Sequence, residues 1–421
     1  MDRIYPLIFF VFLLIMAFTF RPVDAQTSSY EIIPAPDLWY NNVDGIQIGA
    51  RFRGEVPGTF EDGPHRLKAG IWLGLWFPDY PISYNVSYTE PISAWSEYGS
   101  EANIELVSSI RAGYHRHGAG FNKRWQQGFD ERRYRELSFY FTYEKRFEHE
   151  YVQFPVLWSD DSKLLMSLAT ELQDDNRLGW YNLSLNGNLQ YLDDLYGSTT
   201  FTAIQRIPFD DNWGLRFRGF LGIASTSAAP EYLFSRSNNQ SVRWLNSRVT
   251  RAKGTIPQPW LTSGDLQVAG GANLRGYNSQ DIRTFDVDEP FCVNCSNAAP
   301  FLFNSIASIN AEFDYYNPIN VFLNDLPYVA EFISFRSYLF LDAGRSLNLH
   351  QRDRDDFFRD KDTLFSNAGA GFSLSLNIPD YLGKQRGFVL RYEIPFWLSD
   401  PVEEDSFKWR NLFGFGAVVS F

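Results

Sequence analysis

Cysteine is almost missing: 2 occur in 421 residues, so no disulfide framework can hold the chain together. They are Cys292 and Cys295, in a loop-like stretch with no βαβ pattern around it, which in an exported chain fits a local loop disulfide better than a redox pair. Zinc would need two more ligands, and neither histidine nor further cysteine lies nearby. Histidine is scarce as well, with 5 in all, and His115 and His117 flank Arg116 at a turn. Gly369-Ala370-Gly371 sits inside a strand-like run and opens no helix, so it is not a phosphate loop. These absences lead us to expect no metal and no cofactor.

Excess positive charge is missing too. The formal net charge is −12, which argues against nucleic acid as a partner. Long apolar runs are absent after the first 25 residues. There, Asp2 and Arg3 precede an apolar run from Ile4 to Phe20, followed by Val23-Asp24-Ala25, a pattern expected of a secretory signal peptide (1–25). No later window holds 18 consecutive apolar residues, so helical membrane spans are excluded there, and helical periodicity is nowhere convincing.

What the chain has is aromatic residues, 17% of the total, and alternation. From Val43 onward apolar and polar positions alternate at period two; Ile46, Ile48, Ala50 and Phe52 share one side of the first such run. Sixteen segments follow this rule, the weakest being Gly118–Trp125 and Tyr151–Trp158; without those two the count is fourteen. Sixteen agrees better with tight connections around Asp79, His115, His149, Asp175 and Asp211, although the stretch from Tyr315 to Phe332 is long under either count. Trp72, Trp76, Phe77, Trp180, Tyr181 and Trp397 stand at strand ends, where an interfacial aromatic belt would place them. Residues 26–42 are expected to be a short N-terminal segment and 43–421 a barrel, with a long external loop over 224–300. The fold class expected is all-β: a transmembrane antiparallel β-barrel of sixteen strands, since only a closed sheet leaves no open edge in lipid.

The last strand-like run alternates Phe413, Phe415, Ala417, Val419 and Phe421 with small residues. Gly416, Val419 and Phe421 resemble the carboxyl-terminal assembly signal of bacterial outer-membrane barrels. A more specific pattern lies in the long loop: Gly270 and Gly271 precede Leu274, Arg275, Gly276 and Tyr277. It resembles the loop of the BamA/TamA/FhaC superfamily (bacterial surface antigen family), whose arginine meets carboxylates on the inner wall. Two matches follow in order. Asn310-Ala311-Glu312 puts Glu312 on the same strand side as Asn310 and Asp314, and Phe340-Leu341-Asp342-Ala343-Gly344 resembles the family's Phe-x-Asp-x-Gly strand.

Arginine suits such a lock because its planar fork of five donors can join two carboxylates, where lysine offers a point charge. The resemblance implies a Gram-negative outer membrane, no enzyme activity, and help in inserting or translocating proteins or lipids. The implied partners are outer-membrane lipid and partner proteins of the periplasm or outer membrane. Family insertases carry periplasmic recognition domains before the barrel, and residues 26–42 leave no room for one. A passive pore that keeps the lock for stability is the second reading. An outer-membrane hydrolase ranks last, because no Ser/His or Asp/His site stands out.

Overall fold

The structure is a computed structural model. It describes residues 30–418 except for 56–65, 77–80, 247–255, 286–296, 323–325, 327–331, 348–363, 380–384 and some one- and two-residue stretches. The signal segment, Phe77, Cys292, Cys295, Val419 and Phe421 lie outside the described residues.

Eleven strands come first: β1 (Glu31–Asn41), β2 (Gly45–Glu55), β3 (Arg66–Gly74), β4 (Ile82–Pro91), β5 (Ser100–Arg111), β6 (Tyr114–Trp125), β7 (Tyr134–Arg146), β8 (Lys163–Asn176), β9 (Gly179–Gln190), β10 (Tyr196–Pro208) and β11 (Gly214–Ala224). A long loop then carries three short strands, β12 (Leu266–Val268), β13 (Ile282–Thr284) and β14 (Ala298–Pro300). Five more complete the wall: β15 (Ser305–Tyr315), β16 (Ile333–Leu347), β17 (Leu364–Pro379), β18 (Gln385–Leu398) and β19 (Leu412–Val418). Among the described residues, seventeen strands share one sheet. Sixteen of them form an antiparallel meander in chain order, β11 pairing with β15 across the loop, and the seventeenth, β12, lies along β19.

The meander curls into a barrel wall. The Tyr151 hydroxyl, between β7 and β8, donates to Asp44 in the β1–β2 turn. Loop residues meanwhile reach β15, β16 and β18. Side chains alternate across this wall as strand geometry requires. On β1, Ile32, Leu38 and Tyr40 are exposed while Ala35 is buried; on β2 and β3, Ile46, Ile48, Phe52, Ile71 and Leu73 are exposed. Rows of outward apolar residues on strand after strand form a surface that a soluble monomer does not carry, and one that suits lipid. The apolar core lies inside: the loop and the β7–β8 connection pack Val152, Leu157, Leu233, Phe234, Trp244 and Leu274 together within the wall.

Sixteen strands agrees with the expected count, but two members differ. Residues 31–41, expected in the N-terminal segment, form β1 and pair with β2 along their whole length. Tyr151–Trp158, expected as a strand, is a folded-in connection with a 3-10 turn at Pro155–Leu157, and all eight of its residues are buried. A wall strand would leave every second residue facing out. Gly118–Trp125 is the larger part of β6. The exchange shifts the parity of the connections, so the expected alternation of tight turns does not hold: the short β5–β6 and β8–β9 turns are on opposite rims. The aromatic belt is also thinner than expected. Trp72 and Trp180 are buried and face inward, Trp72 donating to Asp37 at 2.7 Å and Trp180 lying under the Arg206 guanidinium. Trp76 is exposed and meets Tyr40 edge to face on the outside.

Candidate functional site

The loop between β11 and β15 turns back into the lumen, and its tip is the segment from Gly270 to Tyr277. Gly270 and Gly271 have φ of 129° and 55°, conformations that a side chain would strain. A Cβ at Gly270 would also sit 2.6 Å from Asn239 Nδ2. Asn273 takes the left-handed region at 55° as well, and the chain then enters a 3-10 turn over Arg275–Tyr277. The wall holds this path by its backbone: Ser308 Oγ donates to the Ala272 carbonyl at 2.6 Å and Asn310 Nδ2 to that of Asn273 at 2.9 Å.

Arg275 lies fully inside, 1% exposed. Its Nε and Nη2 grip Asp342 side-on, at 2.9 Å to Oδ2 and 2.6 Å to Oδ1. Nη1 reaches Glu312 Oε1 at 2.7 Å and Glu393 Oε1 at 2.8 Å. The Phe340 ring covers the guanidinium, with its centroid 3.9 Å from Cζ. Burial alone would discourage the charge on Arg275, but Asp342, Glu393 and Glu312 outweigh it and raise the pKa well above the usual arginine value.

The acids have further partners. Asn310 donates to Asp342 at 3.0 Å, Tyr338 to Glu393 at 2.7 Å, and Arg336 joins Glu312 to Asp314. A buried charge is tolerable only when compensated in this way. Strand register brings the acids together: Asn310 is opposite Asp342 on β15 and β16, and alternation turns both inward.

The other motif residues close the lock sterically. A methyl at Gly276 would run into Leu398 and press on Asn367 Cβ at 3.0 Å. A Cβ at Gly344 would sit 3.0 Å from Leu274 Cδ1, so this glycine makes the seat for that buried side chain. Tyr277 is buried, its hydroxyl 3.1 Å from the Ser366 carbonyl. Gly369 and Gly371 leave room for the inward rings of Phe340 and Tyr338. Gly416 pairs with Val389 in the last hairpin.

Three participants have no counterpart among the residues expected from sequence. Glu393 is the first, although Arg391 and Glu393 alternate with Leu390, Tyr392 and Ile394, a pattern that marks a charged lumen face. Arg236 is the second: it pairs with Asp281 through Nε at 2.8 Å and lies between the rings of Tyr277 and Phe365, 4.4 Å and 4.3 Å away. Lys163 is the third. It reaches Glu231 at 2.9 Å and ties the start of the loop to β8, both groups being buried. Nothing in local sequence announces either of these pairs.

This centre joins one buried guanidinium to three carboxylates. Its chemistry is fixation: one cation holds a loop to three wall strands.

The sequence matches no protein-family model and no curated protein. By shape, it is similar to BamA and CdiB. A BamA from Haemophilus ducreyi lacking POTRA domains 1–3 has 15% identity and a TM-score of 0.49, covering 93% of this chain and 71% of its own. CdiB from Acinetobacter baumannii has 11% identity and a TM-score of 0.41, and CdiB from Escherichia coli 9% and 0.42. This chain spans 60% and 64% of the two CdiB lengths. The fold itself stands on the strand registers and the lock described above.

Proposed function

We propose that this chain is an outer-membrane barrel of the BamA/TamA/FhaC type that assists insertion or translocation of proteins or lipids at the outer membrane of a Gram-negative bacterium. One observation carries the reading: an arginine is committed, fully buried, to holding a long loop inside the lumen. A barrel that only stabilises itself has no need of an obstructed interior, whereas one that passes a client has use for a plug fastened at a defined centre. Its outward apolar rows support a setting in lipid, and partner proteins of the periplasm or outer membrane would bring clients to it. No enzyme activity is part of the proposal.

The test reconstitutes the purified barrel in vesicles and follows assembly of a small outer-membrane barrel protein into them. Faster assembly than in protein-free vesicles, reduced by Arg275→Ala, is the expected result. The second reading, a passive pore, rests on the polar inner wall. It requires steady conductance in planar bilayers with no client present, and such conductance together with unchanged assembly would replace the first reading.

A further inference from the structure

The seam between β1 and β19 is the place where the wall ends on both sides: among the described residues no register pairs these two strands. The two edges are treated differently. On β1, Pro34 and Pro36 have the same parity, so both lack an N–H on the same side of the strand. The β1–β2 register runs unbroken from Glu31 to Asn41, so that side is the one turned away from β2. The seam-facing edge of β1 therefore lacks two successive donors, and a continuous ladder with β19 is impossible there.

On β19 the edge is already taken. Leu266, Gln267 and Val268 of β12 run parallel to it, opposite Phe413, Gly414 and Phe415, and the Phe413 N–H donates to the Asp265 carbonyl at 2.7 Å. Residues on either side of β12 show how the loop travels. Trp260 stacks on Phe413, with centroids 5.7 Å apart and planes at 18°. Phe413 belongs to the outward row, beside Tyr392 at 5.1 Å, whereas Leu412 is buried. Trp260 is thus on the outer side of the wall and Arg275 is inside it. The chain between them passes along the seam, and all three residues of β12 are buried where it does so.

A continuous set of hydrogen bonds joins β12 to the lock. Val268 N donates to Asn238 Oδ1 at 3.1 Å and the Gln267 side chain to the Ser237 carbonyl at 2.7 Å. Ser237 Oγ in turn donates to the Leu274 carbonyl at 2.7 Å, and Leu274 N to the Arg236 carbonyl at 2.9 Å. The segment 236–239 is therefore a bracket between the seam and Arg275.

We propose that β12 is a self-capping strand: it occupies the β19 edge in place of β1, and the Arg275 lock keeps it there, so lock and seam respond as one unit. Three residues of parallel pairing make a short, separable cap, and an uncapped edge would leave unpaired backbone groups facing an apolar surrounding. The proposal goes beyond the transport reading and does not depend on it.

Amide hydrogen exchange on the full-length protein in detergent micelles tests it. Arg275→Ala should speed exchange in the 412–418 segment by about tenfold or more beyond any acceleration in β7, which the substitution reaches only through unfolding of the whole barrel. A second variant adds Leu266→Cys and Phe413→Cys, with Cys292 and Cys295 replaced by Ser. Oxidising this pair in the Arg275→Ala background should return β19 to its slow rate. The proposal is overturned if the 412–418 segment is unaffected by Arg275→Ala, if β7 accelerates equally, if the bridge fails to form, or if exchange stays fast once it has formed.

Discussion

Arg275 Nη1 and Glu393 Oε1 are 2.8 Å apart, although 118 positions separate them in the chain. That contact adds β18, a neighbour of the last strand, to the two strands already joined at the tip. The loop is thus fastened to the closing side of the wall, not only to the strand that follows it.

Removing the cation should be costly. Arg275→Ala leaves Asp342 and Glu393 buried without their common partner, a change worth on the order of 3–5 kcal/mol. The midpoint of heat unfolding, followed by the β-sheet circular dichroism signal in detergent, should fall clearly. Arg275→Lys should fall between the two, because an ammonium cannot grip Asp342 side-on while reaching two other acids. An unchanged midpoint in the alanine variant would mean that the lock does not stabilise the barrel.

Glycine positions separate sterics from charge. At Gly276 an added methyl meets Leu398, itself fully buried, and Asn367. Gly276→Ala should therefore destabilise by roughly 1–3 kcal/mol through overpacking. Gly219 lies on the outward row of β11 with nothing within 4 Å of a new Cβ, and Gly219→Ala should change the same midpoint little. Equal effects at both sites would contradict the close fit of the tip.

The sequence exposed the lock better than the wall. Arg275 stands out because glycines flank it. Glu312 and Asp342 follow from strand parity, which turns alternate residues inward whatever the rest of the fold does. Glu393 has the same alternation on its strand, but its neighbour in space is set by how the sheet curls, and local pattern carries no record of that. β1 is obscured by Pro34 and Pro36, residues that usually argue against a strand and are accommodated here because the edge they spoil is at the seam. Tyr151–Trp158 misleads in the opposite sense, since Val152, Phe154, Val156 and Trp158 alternate like a wall strand while their real environment is the core inside it. In a barrel with a filled lumen, an apolar side chain can face either way, and period two alone does not tell which.

The loop's second fastening makes a prediction about sign. Lys163 and Glu231 are 2.9 Å apart and buried. Removing one partner strands the other charge, so Lys163→Met or Glu231→Gln alone should each destabilise, Lys163→Met by on the order of 3–5 kcal/mol. The double variant Lys163→Met with Glu231→Gln should lose less than Lys163→Met alone, because no buried charge remains. Heat-unfolding midpoints of the three proteins decide it; additive losses would show that the pair is not a coupled, buried ion pair.

His149, in the β7–β8 connection, links stability to pH. Burial lowers its pKa, the Arg146 guanidinium lowers it further, and Asp160 at 3.2 Å opposes them only in part. The Arg146 Nη2 group, 2.7 Å from Nε2, donates to the neutral ring, an arrangement that a protonated ring would break. With the folded pKa below the unfolded one, the unfolded chain takes up the proton first. The stabilisation is then fully present above the unfolded value of about 6.5 and is lost as pH falls toward the lower folded value. Lowering the pH from 7.5 to about 5.5 should therefore reduce the unfolding midpoint of the native protein more than that of His149→Gln, which has no proton to gain. Identical pH profiles would place His149 outside the packing that holds the connection inside the wall.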